Sequence, residues 1–141
     1  MADKKKIISL GVHGTRDLYD DRIRLTLIKT IEKYGINKIV THAEPHGVCE
    51  IARKLAQELG LVLELHYLNL RNGRGMFNKR SLGVIESSDY SIVFHDGVSK
   101  GTSNEVKLLQ KLKKQFDYYK FDKEDDWTTY SDFEIDEFEM E

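Results

Sequence analysis

The chain has 141 residues, 40% of them apolar and 10% aromatic, enough for one domain with its own core. Its single cysteine, Cys49, excludes an internal disulfide and a cysteine-only zinc site. The net charge of −2 conceals a split: all but one of the 22 Lys and Arg fall in residues 1–121, whereas 10 of the 24 Asp and Glu fall in 122–141.

Lys6-Ile7-Ile8-Ser9-Leu10-Gly11-Val12 is a short apolar run ending near glycine, as buried parallel strands do. The loop His13–Asp17 follows. Ile23, Leu27, Ile31 and Tyr34 recur at helical spacing through 20–34, and Gly35 supplies a stop. Lys38–Thr41 reads as the second strand. Val48, Ile51, Ala52, Leu55, Ala56 and Leu59 form one stripe of a helix over 47–59, ended by Gly60. A third strand is expected at 61–67, an aperiodic loop with Arg71 and Arg74 at 68–78, a helix at 79–88 and a fourth strand at 90–94. The glycine-rich loop 96–102 precedes a helix expected at 103–114, and 116–121 alternates weakly as a last strand.

Strand–helix alternation of this kind predicts an α/β fold: a single Rossmann-like open parallel sheet of about five strands with helices on both faces. It spans residues 1–121 and leaves an acidic tail, 122–141, in which Trp127, Tyr130, Phe133, Ile135 and Phe138 are interspersed. Such a tail is either a solvated segment or one that docks through its aromatics. No apolar run approaches the ~20 residues of a membrane helix. The stretch after Lys4-Lys5-Lys6 is also shorter than the ~7–15 apolar residues of a cleavable leader. No membrane partner is expected, and the cytoplasm is the expected compartment.

Ligands of open parallel sheets lie outside the carboxyl ends of the strands. Three loops leave strand ends there: 13–17, 41–47 and 95–102. Glycines allow close backbone approach to a phosphate, and the helix that follows offers unpaired N–H groups. The candidate ligand-binding residues are therefore His13, Gly14, Thr15, Arg16, His42, Glu44, Gly47, Arg80, Asp96, Gly97, Ser99, Lys100, Gly101, Thr102 and Asn104. The first strand lacks a dinucleotide fingerprint and the chain lacks a Walker A loop, which disfavours NAD binding and ATP hydrolysis. His13, His42 and His46, with Glu44 and Cys49, match no recognised metal spacing, so neither a metal nor a cofactor is expected. A thiol at Cys49 would gain nucleophilicity from a helix N-terminus, although a small buried residue is the simpler reading.

Four segments together resemble the SLOG superfamily, which includes the DprA/Smf DNA-processing proteins, the LOG phosphoribohydrolases and small stand-alone domains. They are Gly14-Thr15-Arg16 after the first strand; Thr41 to Glu50 before a helix; Arg80 nine residues before Asp89; and Asp96-Gly97-Val98-Ser99-Lys100-Gly101-Thr102 after the fourth strand. The second segment carries His42, Ala43, Glu44 and Pro45 where the family has adjacent glycines, and Cys49 where it has aspartate. The resemblance, over residues 6–121, implies a nucleotide-binding domain that pairs into a homo-oligomer, acting as a sensor or a sequestering protein.

Gly101-Thr102-Ser103-Asn104-Glu105 also resembles the Gly-Thr-x-x-Glu arrangement of nucleoside deoxyribosyltransferases, which implies Glu105, with Arg80, as catalytic candidates for cleaving an N-glycosidic bond. The simpler reading of Glu105 is a helix-dipole preference in a first turn. The basic body raises DprA-like DNA handling as a third possibility. The modest charge and the absence of an aromatic-interleaved basic stripe disfavour a nucleic-acid partner, and a nucleotide or nucleotide-derived small molecule is expected instead.

Overall fold

The computed structural model describes residues 6–67, 76–121 and 127–130. Its elements in chain order are β1 (Ser9–Gly14), α1 (Asp21–Tyr34), β2 (Lys38–His42), α2 (Gly47–Leu59), β3 (Val62–His66), α3 (Met76–Glu86), β4 (Tyr90–His95), α4 (Lys100–Lys111), β5 (Phe116–Phe121) and β6 (Trp127–Tyr130). The sheet order is β3-β2-β1-β4-β5-β6. The first five strands are parallel and β6 runs antiparallel to β5. This is the expected open parallel sheet, with one added edge strand in the segment read as tail.

The chain moves outward from β1 to β2 and β3, then crosses back to β4 and continues to β5. Right-handed crossovers on the two sides of that reversal put helices on opposite faces. Accordingly α1 and α2 pack together on one face, and α3 and α4 on the other. The reversal lies between β1 and β4, where loops leaving the two carboxyl ends diverge and open a crevice.

The two periodicities decide what each face buries. Alternate residues Leu10 and Val12 of β1, Ile39 of β2, and Ile92 and Phe94 of β4 join Ile23, Leu27, Val48, Ala52, Leu55 and Ala56 in one apolar core under α1 and α2. Val93, Phe116 and Tyr118 face the other way, into a smaller core with Ile85, Val106 and Leu109 under α3 and α4. The expected stripe of α2 is buried at Val48, Ala52, Leu55 and Ala56, whereas Leu59, the helix's last residue, is 47% exposed. Gly35 and Gly60 end α1 and α2 in left-handed backbone, as read from the sequence.

Helix α4 begins three residues before its expected start. The side chain of Ser99 accepts from the Thr102 amide and caps it, so Lys100, Gly101 and Thr102 are the helix's first turn rather than the end of a loop. Helix α3 likewise starts earlier than expected, at Met76, and β1 is displaced toward Gly14.

Candidate functional site

A cleft of about 450 Å³ opens at the crossover between β1 and β4. Gly14, Thr15, Arg16 and Asp17 line it from β1 and the loop beyond, His42 and Glu44 from β2 and its loop, Arg80 and Ser81 from α3, and Asp96, Ser99, Gly101, Thr102, Asn104 and Glu105 from β4's loop and α4. Twelve of the sequence-derived candidates therefore converge. The others take different places. His13 is fully buried and bonded to Glu105, Gly47 lies beneath Arg16, Gly97 faces Lys120, and Lys100 is exposed outside the cleft lining. Arg71 and Arg74 lie outside the described residues.

Two glycines have a reason other than phosphate approach. A Cβ on Gly14 would come within 2.4 Å of the Val48 Cβ, and one on Gly47, whose φ is +73°, within 1.9 Å of the Arg16 carbonyl oxygen. Together they let the start of α2 press against the loop after β1. The Val48 amide donates to the Thr15 carbonyl at 3.4 Å there. Gly101 is different, because nothing lies within 4 Å of where its Cβ would stand.

The loop 96–102 is held by its own side chains. The Asp96 carboxylate accepts from the amides of Val98 and Ser99 at 2.9 and 2.8 Å. The Thr15 hydroxyl accepts from the Asp96 amide at 3.1 Å, which ties this loop to the one after β1. Those amides, with that of Thr102, are already engaged. The helix-opening amides of Lys100 and Gly101 are the ones left to a ligand. Beneath the loop, the ring of His95 donates from Nε2 to the Ser99 carbonyl at 3.0 Å, so its Nδ1 accepts from the Tyr118 hydroxyl at 2.5 Å. Burial holds the His95 pKa down and favours this neutral ring.

Glu105 is the main correction to the sequence reading. It lies in the second turn of α4, whose first turn holds no acidic residue, so the helix dipole does not explain it. Its side chain is buried and points at two imidazoles. Its Oε2 accepts from His13 Nδ1 at 2.5 Å and stands 3.3 Å from His42 Nε2. Burial pushes the carboxyl's pKa up, but the charge and hydrogen bonding of the two histidines, with Arg80, outweigh it and hold the pKa below its ordinary value. For His42 burial dominates, and its pKa falls to about 4 against the pull of Glu105.

Strand register explains the meeting. Val12 pairs with Thr41, so the next residues, His13 and His42, stand side by side. Both face opposite to Val12, toward α4. The signal was in the sequence: each of the first four strands closes on or one residue past a histidine, namely His13, His42, His66 and His95. His66 was not singled out because β3 alone gave no reason to weigh it. It meets Glu64 at 2.6 Å.

The arginines of the cleft are engaged by Glu44. Arg80 Nη2 lies 2.7 Å from its Oε1, and Arg16 Nε lies 3.4 Å from its Oε2. Asp89, expected to align with a family motif, accepts from the Ser9 amide at 2.9 Å and ties the foot of β1. Cys49 is buried and its thiol is pushed up to about 11, chiefly by that burial, in keeping with a small buried residue. Among the described residues, no helix is long and apolar enough to cross a membrane.

No protein-family model and no curated protein matches the chain. Solved structures do, and two of them are described as a molybdenum cofactor (Moco) carrier protein from Chlamydomonas reinhardtii. One is 24% identical with a TM-score of 0.58 and the other 20% identical with a TM-score of 0.55; each match covers 79% of this chain and 75% of that one. The shared feature is the Rossmann-like α/β fold. The likeness reaches the fold and does not extend to the SLOG superfamily in particular.

Proposed function

We propose that the chain binds a nucleotide or nucleotide-derived small molecule in this cleft and holds it as a sensor or a sequestering carrier. The observation that carries the reading is the convergence of three strand-end loops on one crevice at the sheet's crossover, the position where open parallel sheets hold nucleotides. The volume suits a small ligand. Thr15, Ser99 and Thr102 offer hydroxyls, and α4 offers its N-terminal end. The likeness to proteins described as molybdenum cofactor carriers favours carrying over turnover and adds that cofactor to the ligands to be tried.

Glu44 already engages Arg16 and Arg80, so an entering phosphate has to take them from it. Thermal melting with a panel of nucleoside phosphates, cyclic nucleotides, ADP-ribose and the molybdenum cofactor tests the reading. A saturable rise in Tm is expected with at least one. Arg80→Ala lowers affinity at least about ten-fold and Glu44→Gln raises it several-fold, because a competing anion is gone. A flat response across the panel refutes the proposal.

A second reading has its own observation: the Glu105 carboxylate lines the cleft and is held ionised. Such a group stabilises positive charge developing at a sugar's anomeric carbon while the bond to the base nitrogen breaks. A water oxygen then bonds to that carbon, and a water proton goes to the departing base. Chromatographic detection of free base from nucleoside monophosphates supports this activity only if Glu105→Gln abolishes it.

A further inference from the structure

We propose that His13, His42 and Glu105 form a site for one divalent transition-metal ion of zinc type, set in the floor of the cleft. Each residue can offer one ligand atom, and the three atoms lie within 4.8 Å of one another. The donor set of two imidazoles and a carboxylate suits such an ion and is one that open, catalytic zinc sites use. All three side chains are buried and stand on two adjacent strands and a helix rather than on loops, a placement that fixes ligands well.

The cluster's own hydrogen bonds leave coordinating capacity unused. The Nε2 atoms of His13 and His42 are both buried and make no hydrogen bond. His42 Nε2 nevertheless stands 3.3 Å from Glu105 Oε2, matching the ~3.3 Å edge of a tetrahedron with bonds of about 2 Å. One further feature gives the site a direction. His42 and Glu105 line the cleft whereas His13 lies behind them, so an open coordination position faces the cavity. His66 with Glu64 repeats the histidine–carboxylate pair on the edge strand β3, but only three residues among those described make a cluster, and His66 is not one of them.

The proposal is independent of which organic ligand enters the cleft, and its test uses none. The full chain is stripped with a chelator and titrated with Zn²⁺ alone by calorimetry. One ion per chain is expected, with His42→Ala weakening binding at least about 100-fold, Glu105→Gln about 10-fold, and His66→Ala leaving it unchanged. Because a buried variant can fail to fold, the wild-type chain is also followed by imidazole nitrogen NMR. Zn²⁺ is expected to shift the His13 and His42 signals and to leave those of His66 and His95 in place. Absence of saturable one-to-one uptake overturns the site. So does uptake that survives His42→Ala, or uptake that leaves the His13 and His42 signals unmoved.

Discussion

The two faces of the sheet bury different kinds of surface. Under α1 and α2 the strands contribute Leu10, Val12, Ile39, Ile92 and Phe94 to the larger apolar core. Under α3 and α4 the same strands end in His13, His42, His66 and His95, and α4 sends Glu105 among them. Alternation along a strand lets one segment serve both faces without compromise. The apolar face supplies cohesion through area removed from water. The other face adds to its smaller apolar core a row of buried polar groups, whose burial cost is offset where they pair, as His13 does with Glu105 and His95 with Tyr118.

The comparison is broken most severely on the apolar face. Phe94 is fully buried against Tyr119 and Phe121, and Phe94→Ala is expected to cost about 3–5 kcal/mol in urea unfolding. Gly14→Ala comes next, at about 1–3 kcal/mol, because the new Cβ meets Val48 and pushes α2 away from the site. The paired substitution Gly101→Ala, with open space around it, should be neutral or stabilise by up to about 1 kcal/mol. Equal losses at the two glycines would refute the packing account.

On the histidine face, Tyr118→Phe removes the hydroxyl that donates to His95. The expected loss is about 1–2 kcal/mol, with faster hydrogen exchange at the Val98 and Ser99 amides. An unchanged exchange rate would show that His95 does not position that loop. The smallest effect belongs to Glu64 on the edge strand β3. Hydrogen bonding from Lys38, aided by His66 and Ser87, lowers the Glu64 pKa to about 2 from an ordinary 4.5, despite some opposing desolvation. The folded value lies below the unfolded one, so this stabilisation is complete above about pH 4.5 and disappears as pH falls toward 2. With the side chain 31% exposed, it amounts to about 1 kcal/mol. The wild-type advantage over Glu64→Gln in urea midpoint should therefore close across that pH range, and a constant gap would contradict the assignment.

The apolar face was legible in the sequence because its signals are local. Ile23, Leu27 and Ile31, or Ala52, Leu55 and Ala56, need only helical spacing to be placed, and β-branched runs ending near glycine place the strands. The histidine face was legible only in part. His13 and Glu105 are 92 residues apart, and nothing in either neighbourhood announces the other. Their meeting depends on β1–β2 register and on the true start of α4. Loop-like composition at Gly97–Gly101 concealed that start, although Ser99 three residues before Thr102 is a capping signal. Strand β6 was missed for a related reason. The Trp127-Thr128-Thr129-Tyr130 run has strand-forming residues, but it is embedded in a stretch whose acidity dominated the reading.

Cys49 has a practical consequence. It is the chain's only thiol, it lies 2% exposed in the first turn of α2, and its proton is held to about pH 11. A thiol reagent at neutral pH therefore reaches it only when α2 lifts from the sheet. The rate of its alkylation becomes a clock for that opening, and any ligand that bridges the loops over α2 should slow the clock in proportion to its occupancy.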